Sequence, residues 1–230
     1  MPTPIEAMRI VAKRLQSIDV SFAFVGGAVV AVLVDHPELT EIRPTKDVDV
    51  IVEIATLVDY YALEELLRAS GFQHDTTEGA PICRWIIDEC RVDVMPTTSA
   101  PLGMNSKWFP EALATAQTRD LGEGCSAQVI LPVLFLATKL EAFKDRGHGD
   151  YYGSYDLEDI ITLVDGRASI GGDVAAAPEP VRGFVGVGVR EILRQPDFQD
   201  AFPGHLSALS RERAPLVLGR LQAIADLGKE

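Results

Sequence analysis

The stretch Asp47-Val48-Asp49-Val50 places two carboxylates two residues apart in a run rich in Val and Ile. Such a run reads as a β-strand from Asp47 to Glu53. Side chains alternate along a strand, so Asp47 and Asp49 share one face while Val48 and Val50 turn to the other. Two like charges held that close are costly unless something positive lies between them. A divalent cation meets that need, and carboxylate oxygens suit magnesium. Arg91-Val92-Asp93-Val94 repeats the alternation, so a neighbouring strand would bring Asp93 in as a third carboxylate. Three carboxylates can hold two metal ions, one activating an attacking hydroxyl and one binding a triphosphate. Solvated aspartates on half-exposed strands would give the same local pattern. The apolar residues on the opposite faces and the second aspartate-bearing strand argue for the site.

The elements that must position these residues follow from the pattern around them. Phe22 to Val25 is a short apolar run ending in Gly26-Gly27, a strand entering a tight turn. Ala28 to Val34 is small and apolar and fits a buried helix. A glycine pair between strand and helix lets backbone N–H groups approach a phosphate, although a plain tight turn would look alike. Pro4 to Ser17 and Thr56 to Ser70 have helical periodicity, the second stopped by Gly71. Ile82 to Asp88 and Cys90 to Met95 read as an antiparallel pair.

After about residue 125 the character changes. Gln128 to Leu131 fits one more strand. Pro132 to Asp145, Tyr155 to Val164, Val181 to Arg194 and Ala214 to Leu227 read as helices, and Ala168 to Ala177 as a Gly/Ala-rich connection. The expected fold class is α/β (α+β), a mixed sheet flanked by helices. The expected division is a core over 1–125 and a mostly helical part over 126–230. The run Gly183-Phe-Val-Gly186-Val-Gly188 lacks the G-x-G-x-x-G spacing and follows a Pro-rich linker, so it does not read as a dinucleotide site.

The chain has 230 residues, with 47% hydrophobic and 24% charged, values of an ordinary globular protein. No apolar run is long enough to span a bilayer, and Met1 to Arg14 has no signal-peptide layout. A cytoplasmic protein is expected, with no membrane partner. The 3 cysteines, Cys83, Cys90 and Cys125, form no C-x-x-C pair, which argues against a disulfide framework or zinc. A formal charge of −13 disfavours non-specific nucleic-acid binding. The four histidines make no catalytic cluster, and His148 reads as a loop residue.

A strand, Gly-Gly, a helix and a strand opening with D-x-D resemble the layout of the polymerase β-like nucleotidyltransferase superfamily. Arg43-Pro-Thr45-Lys-Asp47-Val-Asp49 resembles the R-x-T-x-D-x-D stretch of AbiEii-type nucleotidyltransferases, bacterial toxins of type IV toxin–antitoxin pairs and phage-defence proteins. Lys139-Leu-Glu-Ala142 is similar to their K-x-x-A motif and Asp156-Leu-Glu-Asp159 to their D-x-x-D motif. The resemblance spans about residues 20 to 165. It implies Asp47, Asp49 and Asp93 as catalytic and metal-holding residues. It implies Gly26, Gly27, Arg43, Thr45, Lys139, Asp156 and Asp159 as nucleotide-binding ones, with Mg2+ as cofactor and an NTP as substrate. From the residues alone, Lys139 could equally snorkel from an apolar stripe. Asp156 and Asp159, three apart on one helix face, could orient Lys139 or Arg146. The family has Ser or Thr near the glycines, where this chain has Ala28, so a phosphate-binding hydroxyl is missing or supplied elsewhere.

Three functions compete. One is transfer of a nucleoside monophosphate (EC 2.7.7 type) to RNA or protein by a toxin or defence enzyme, with an antitoxin partner. Another is modification of a small molecule such as an aminoglycoside or lincosamide, which the acidic charge favours. The third is a non-catalytic binding partner or antitoxin on the same fold.

Overall fold

A computed structural model describes all residues except 1, 19, 38–39, 46, 99–105, 147–148, 207–210 and 229–230. His148 lies outside the described residues. The chain divides into two compact units, the first comprising 1–32 and 44–131, the second 33–43 and 132–230.

The first unit is built on a seven-stranded mixed sheet. Its strands are β1 (Phe22–Val25), β2 (Asp47–Val52), β3 (Gln73–His74), β4 (Arg84–Ile87), β5 (Cys90–Pro96), β6 (Gln117–Asp120) and β7 (Ser126–Val129). They lie in the order β3-β4-β5-β2-β1-β7-β6. Central β2 runs antiparallel to β1 and parallel to β5. That parallel pairing sets Asp49 opposite Asp93 and Asp47 opposite Arg91. β4 and β5 form a hairpin whose turn residues, Asp88 and Glu89, both have positive φ (44° and 66°). Two consecutive left-handed residues match the twist of the flanking strands.

Helix α1 (Pro4–Leu15) begins with a capping box: Thr3 Oγ1 accepts from the Glu6 N–H, and the Thr3 N–H donates to Glu6. Its buried stripe, Met8, Val11, Ala12 and Leu15, packs on the sheet. The predicted helix after the glycines is a 3-10 turn over Gly27–Val29 followed by α2 (Val30–Leu33). α3 (Leu57–Ala69) is capped by Thr56 and ends at Gly71, whose φ is +90°. α4 (Phe109–Ala114) packs on β1 and β2. The largest fully buried side chains here include Trp85, Phe24 and Phe72. Cys83, Cys90 and Cys125 are buried and free.

The second unit is helical: α5 (Pro132–Arg146), α6 (Tyr155–Gly166), α7 (Ile170–Ala176), α8 (Glu179–Leu193), α9 (Pro196–His205) and α10 (Ala214–Leu227). The connection predicted over 168–177 is helix α7, because Ile170 and Val174, four apart, are both buried. The glycines of α8 are packing residues. Gly186 brings its backbone against Gly228 just past α10, and Gly188 lies under Leu140 of α5. The segment 33–43 joins this unit through Asp35 N–H to Gly166 O (2.9 Å) and Arg167 Nη1 to Leu33 O (2.9 Å).

Among the described residues no helix is long and apolar enough to cross a membrane.

Candidate active site

In β2, Val48, Val50 and Val52 are buried, while Asp47 and Asp49 are half-buried on the other face. In β5, Asp93 sits between buried Val92 and Val94, and its side chain keeps only 13% exposure. A buried carboxylate needs a charged or hydrogen-bonded partner. Arg84 supplies it. Its Nε donates to Asp93 Oδ1 and its Nη2 to Asp93 Oδ2, both at 2.7 Å, and Nη2 also reaches Asp47 Oδ2 at 3.0 Å. This is the forked pairing that a planar guanidinium makes with a carboxylate. The bonds to Asp93 hold the Arg84 pKa above its ordinary value against the opposing effect of burial, with Asp47 adding to the pull.

Arg84 was not among the residues that the sequence pattern singled out, yet the hairpin could have revealed it. Counting outward from the two-residue turn pairs 87 with 90, 86 with 91, 85 with 92 and 84 with 93.

The turn after β1 completes the local arrangement. Gly26 has φ 71° and ψ −167°, and a Cβ placed on it would overlap the Asp49 carboxylate. The backbone therefore approaches Asp49 as only glycine allows. Gly27 and Ala28 are buried in the 3-10 turn that follows. Cys83, one residue before Arg84, is buried close to Asp93 and Asp49. Burial first, then these charges, push its thiol up to about 12.

The remaining predicted residues gather elsewhere. Thr45 is half-buried in the first unit, two residues before β2. Lys139, Asp156 and Asp159 form a buried cluster in the helical unit. Lys139 Nζ lies 3.0 Å from Asp156 Oδ1 and 2.7 Å from Asp159 Oδ2. Burial pulls the Lys139 pKa down, but Asp159 and Asp156 outweigh it and the net direction is up. Arg43 joins the same cluster. Its Nη2 is 3.4 Å from Asp159 Oδ1, its Nε 3.7 Å from Glu158, and its guanidinium lies 4.4 Å from the centre of the Tyr155 ring. Two cations and three carboxylates thus tie α5, α6 and the 33–43 segment together.

A crystal structure of an antigenic nucleotidyltransferase-like protein from Paracoccidioides brasiliensis is similar to this chain. The likeness covers 96% of this chain and 92% of that one, with 20% identity and a TM-score of 0.50. The fold is nucleotidyltransferase-like. The solution structure of the antibiotic-resistance factor ANT(2'')-Ia matches over 88% of this chain and 97% of that one, with 11% identity and a TM-score of 0.46. No protein-family profile and no curated protein matches the chain.

For a divalent ion in this nucleotidyltransferase-like fold, the donors on β2 are of the right kind. Asp47 and Asp49 share a face, and the Asp49 carboxylate fills the space that the missing Cβ of Gly26 leaves. The guanidinium between Asp47 and Asp93 marks the place as one that gathers positive charge. Among the described residues, no three His, Cys, Asp or Glu side chains are arranged to share one ion, and both oxygens of Asp93 are engaged by Arg84. The residues therefore fit an ion held by the aspartate pair of β2.

Proposed function

We propose that this chain is a magnesium-dependent nucleotidyltransferase that moves a nucleoside monophosphate from an NTP to a hydroxyl acceptor. The observation that carries the reading is the aspartate pair of β2 set abreast of Asp93 in a nucleotidyltransferase-like fold. In the reaction, the acceptor oxygen bonds to the α-phosphorus while the bond to the bridging oxygen breaks. Pyrophosphate leaves, and the hydroxyl proton passes to a site carboxylate or to water. Magnesium, when bound, neutralises charge on the triphosphate. Asp47 and Asp49 would hold that ion, with the Asp49 carboxylate seated in the space that Gly26 leaves. Arg84 fixes Asp93 beside them. For Lys139, Asp156, Asp159 and Arg43, the ion pairs support a role in fixing α6 within the helical unit.

Calorimetry tests the reading. The wild type is expected to bind an NTP with magnesium, and Asp47→Ala plus Asp49→Ala is expected not to. Equal heats from the two proteins would remove the metal assignment, and no binding by either would favour a non-catalytic partner or antitoxin.

The net charge of −13 supports a second reading of the acceptor, a cationic small molecule in place of RNA or protein. The motif resemblance supports the toxin or defence role. Incubation with each α-labelled NTP and a cell extract separates these readings by whether label enters RNA, protein or small molecules.

A further inference from the structure

Three carboxylates and the Arg84 guanidinium meet on adjacent strands of the sheet, with Arg91 opposite Asp47 in the same register. Asp49 faces Asp93 across the β2–β5 pairing, and Arg84 faces Asp93 across the β4–β5 pairing. Neighbouring strands lie about 4.8 Å apart, so these groups share one electrostatic environment. Without Arg84, both oxygens of Asp93 would lose the donors that now engage them, and a second ion could take their place.

Both Asp93 oxygens take short bonds from Arg84, whereas Asp47 gives Arg84 only Oδ2, through a side chain still 37% exposed. Arg84 itself is 18% exposed at the side chain, held on the strand rather than free in solvent. A forked pair of this kind is geometrically specific and well shielded.

We propose that Arg84 is a positioning residue that stands in for a second metal ion. The chain holds one divalent ion, between Asp47 and Asp49, and Asp93 is committed to the guanidinium. This rests on the metal-dependent reading given above. It adds that the number of ions is set by a residue of the hairpin, one outside the D-x-D strand.

The test counts Mn2+ on the full chain by the electron paramagnetic resonance signal of the free ion. Ions lost in Asp47→Asn plus Asp49→Asn are counted as site-bound, which removes diffuse binding to the acidic surface. Wild type is expected to hold one site-bound ion, and Arg84→Met to gain a second that disappears again when Asp93→Asn is added. Should Arg84→Met fail to fold by circular dichroism, Arg84→Gln is expected to show the same gain while keeping an amide donor for Asp93. Two site-bound ions in wild type would overturn the proposal and leave the metal reading standing. A folded Arg84 variant that gains no ion would overturn it as well. No site-bound ion in wild type would remove the metal reading itself and the proposal with it.

Discussion

The Asp49 carboxylate fills the space where a Cβ of Gly26 would stand. Gly26 also has φ 71° and ψ −167°, a region almost closed to residues with a Cβ. Gly26→Ala therefore meets two penalties, backbone strain of about 1–3 kcal/mol and a collision with a side chain held in the sheet. Gly79 is the control. Its φ is also positive, at 81°, but nothing lies within 4 Å of where its Cβ would be. Gly79→Ala should cost only the left-handed strain of about 1–2 kcal/mol. Urea unfolding of both variants checks the difference, and equal losses would mean that Asp49 yields freely.

Lys139 is the hub of the helical unit. Lys139→Met would leave Asp156 and Asp159 buried without their ammonium, a change that costs about 3–5 kcal/mol when a buried pair is broken from one side. The triple variant Lys139→Met, Asp156→Asn, Asp159→Asn removes the charges that Lys139 had balanced and should recover part of that loss. The Arg43 pair with Asp159 keeps the recovery incomplete. Denaturant midpoints of the two variants decide it. A Lys139→Met protein as stable as wild type would show that these ion pairs do not hold the unit.

Much of this arrangement was legible before the structure because the signals were local. The strand Phe22–Val25, the D-x-D strand and the helices α1, α3, α5, α6, α8 and α10 each carried an apolar period or a cap of their own. What stayed hidden lacked such a signal. β6 is an edge strand of Gln117, Thr118, Arg119 and Asp120, mostly exposed, so no apolar alternation marks it. In α7, Gly171 and Gly172 masked a helix defined by two buried residues, Ile170 and Val174. α9 hid behind Pro196 and Pro203, although Phe198, Ala201 and Phe202 are buried at helical spacing. The site divided in the same way. Asp47 and Asp49 share a face by strand geometry alone, but the cation between Asp47 and Asp93 depends on hairpin register. Register is a relation between strands that no single segment displays.

The glycines of α8 make opposite predictions from one motif. A Cβ on Gly186 would collide with the backbone of Gly228, which cannot swing aside as a side chain does. Gly186→Ala should lose about 1–3 kcal/mol through overpacking, despite alanine's better helix propensity. A Cβ on Gly183 would meet only the end of the Glu179 side chain, 3.1 Å away and free to turn. Gly183→Ala should therefore gain up to about 1 kcal/mol from propensity. Thermal unfolding of the two variants would show shifts of opposite sign, and shifts of the same sign would mean the α8–α10 contact relaxes.

Stability should fall on the alkaline side, through groups in both units. Burial, with Asp93 and Asp49 adding to it, pushes the Cys83 thiol from its ordinary 9.0 up to about 12. Burial also raises Tyr60 above its ordinary 10.0, and Asp159 and Asp156 raise Lys139 above 10.5 against the effect of burial. All three have folded pKa values above the unfolded ones. Their contribution is therefore complete below the unfolded values and is lost as pH rises through the folded ones. Cys83 acts first, because its unfolded value of 9.0 is the lowest of the three. Urea midpoints should stay level with respect to these groups up to about pH 9 and decline from there towards pH 12. Cys83→Ala should lessen that decline from about pH 9 to 12, most visibly below pH 10 where Tyr60 and Lys139 do not yet contribute, and leave the remainder to Cys90, Tyr60, Tyr151 and Lys139. An unchanged slope in Cys83→Ala would show that the thiol ionises in the folded protein as easily as in water.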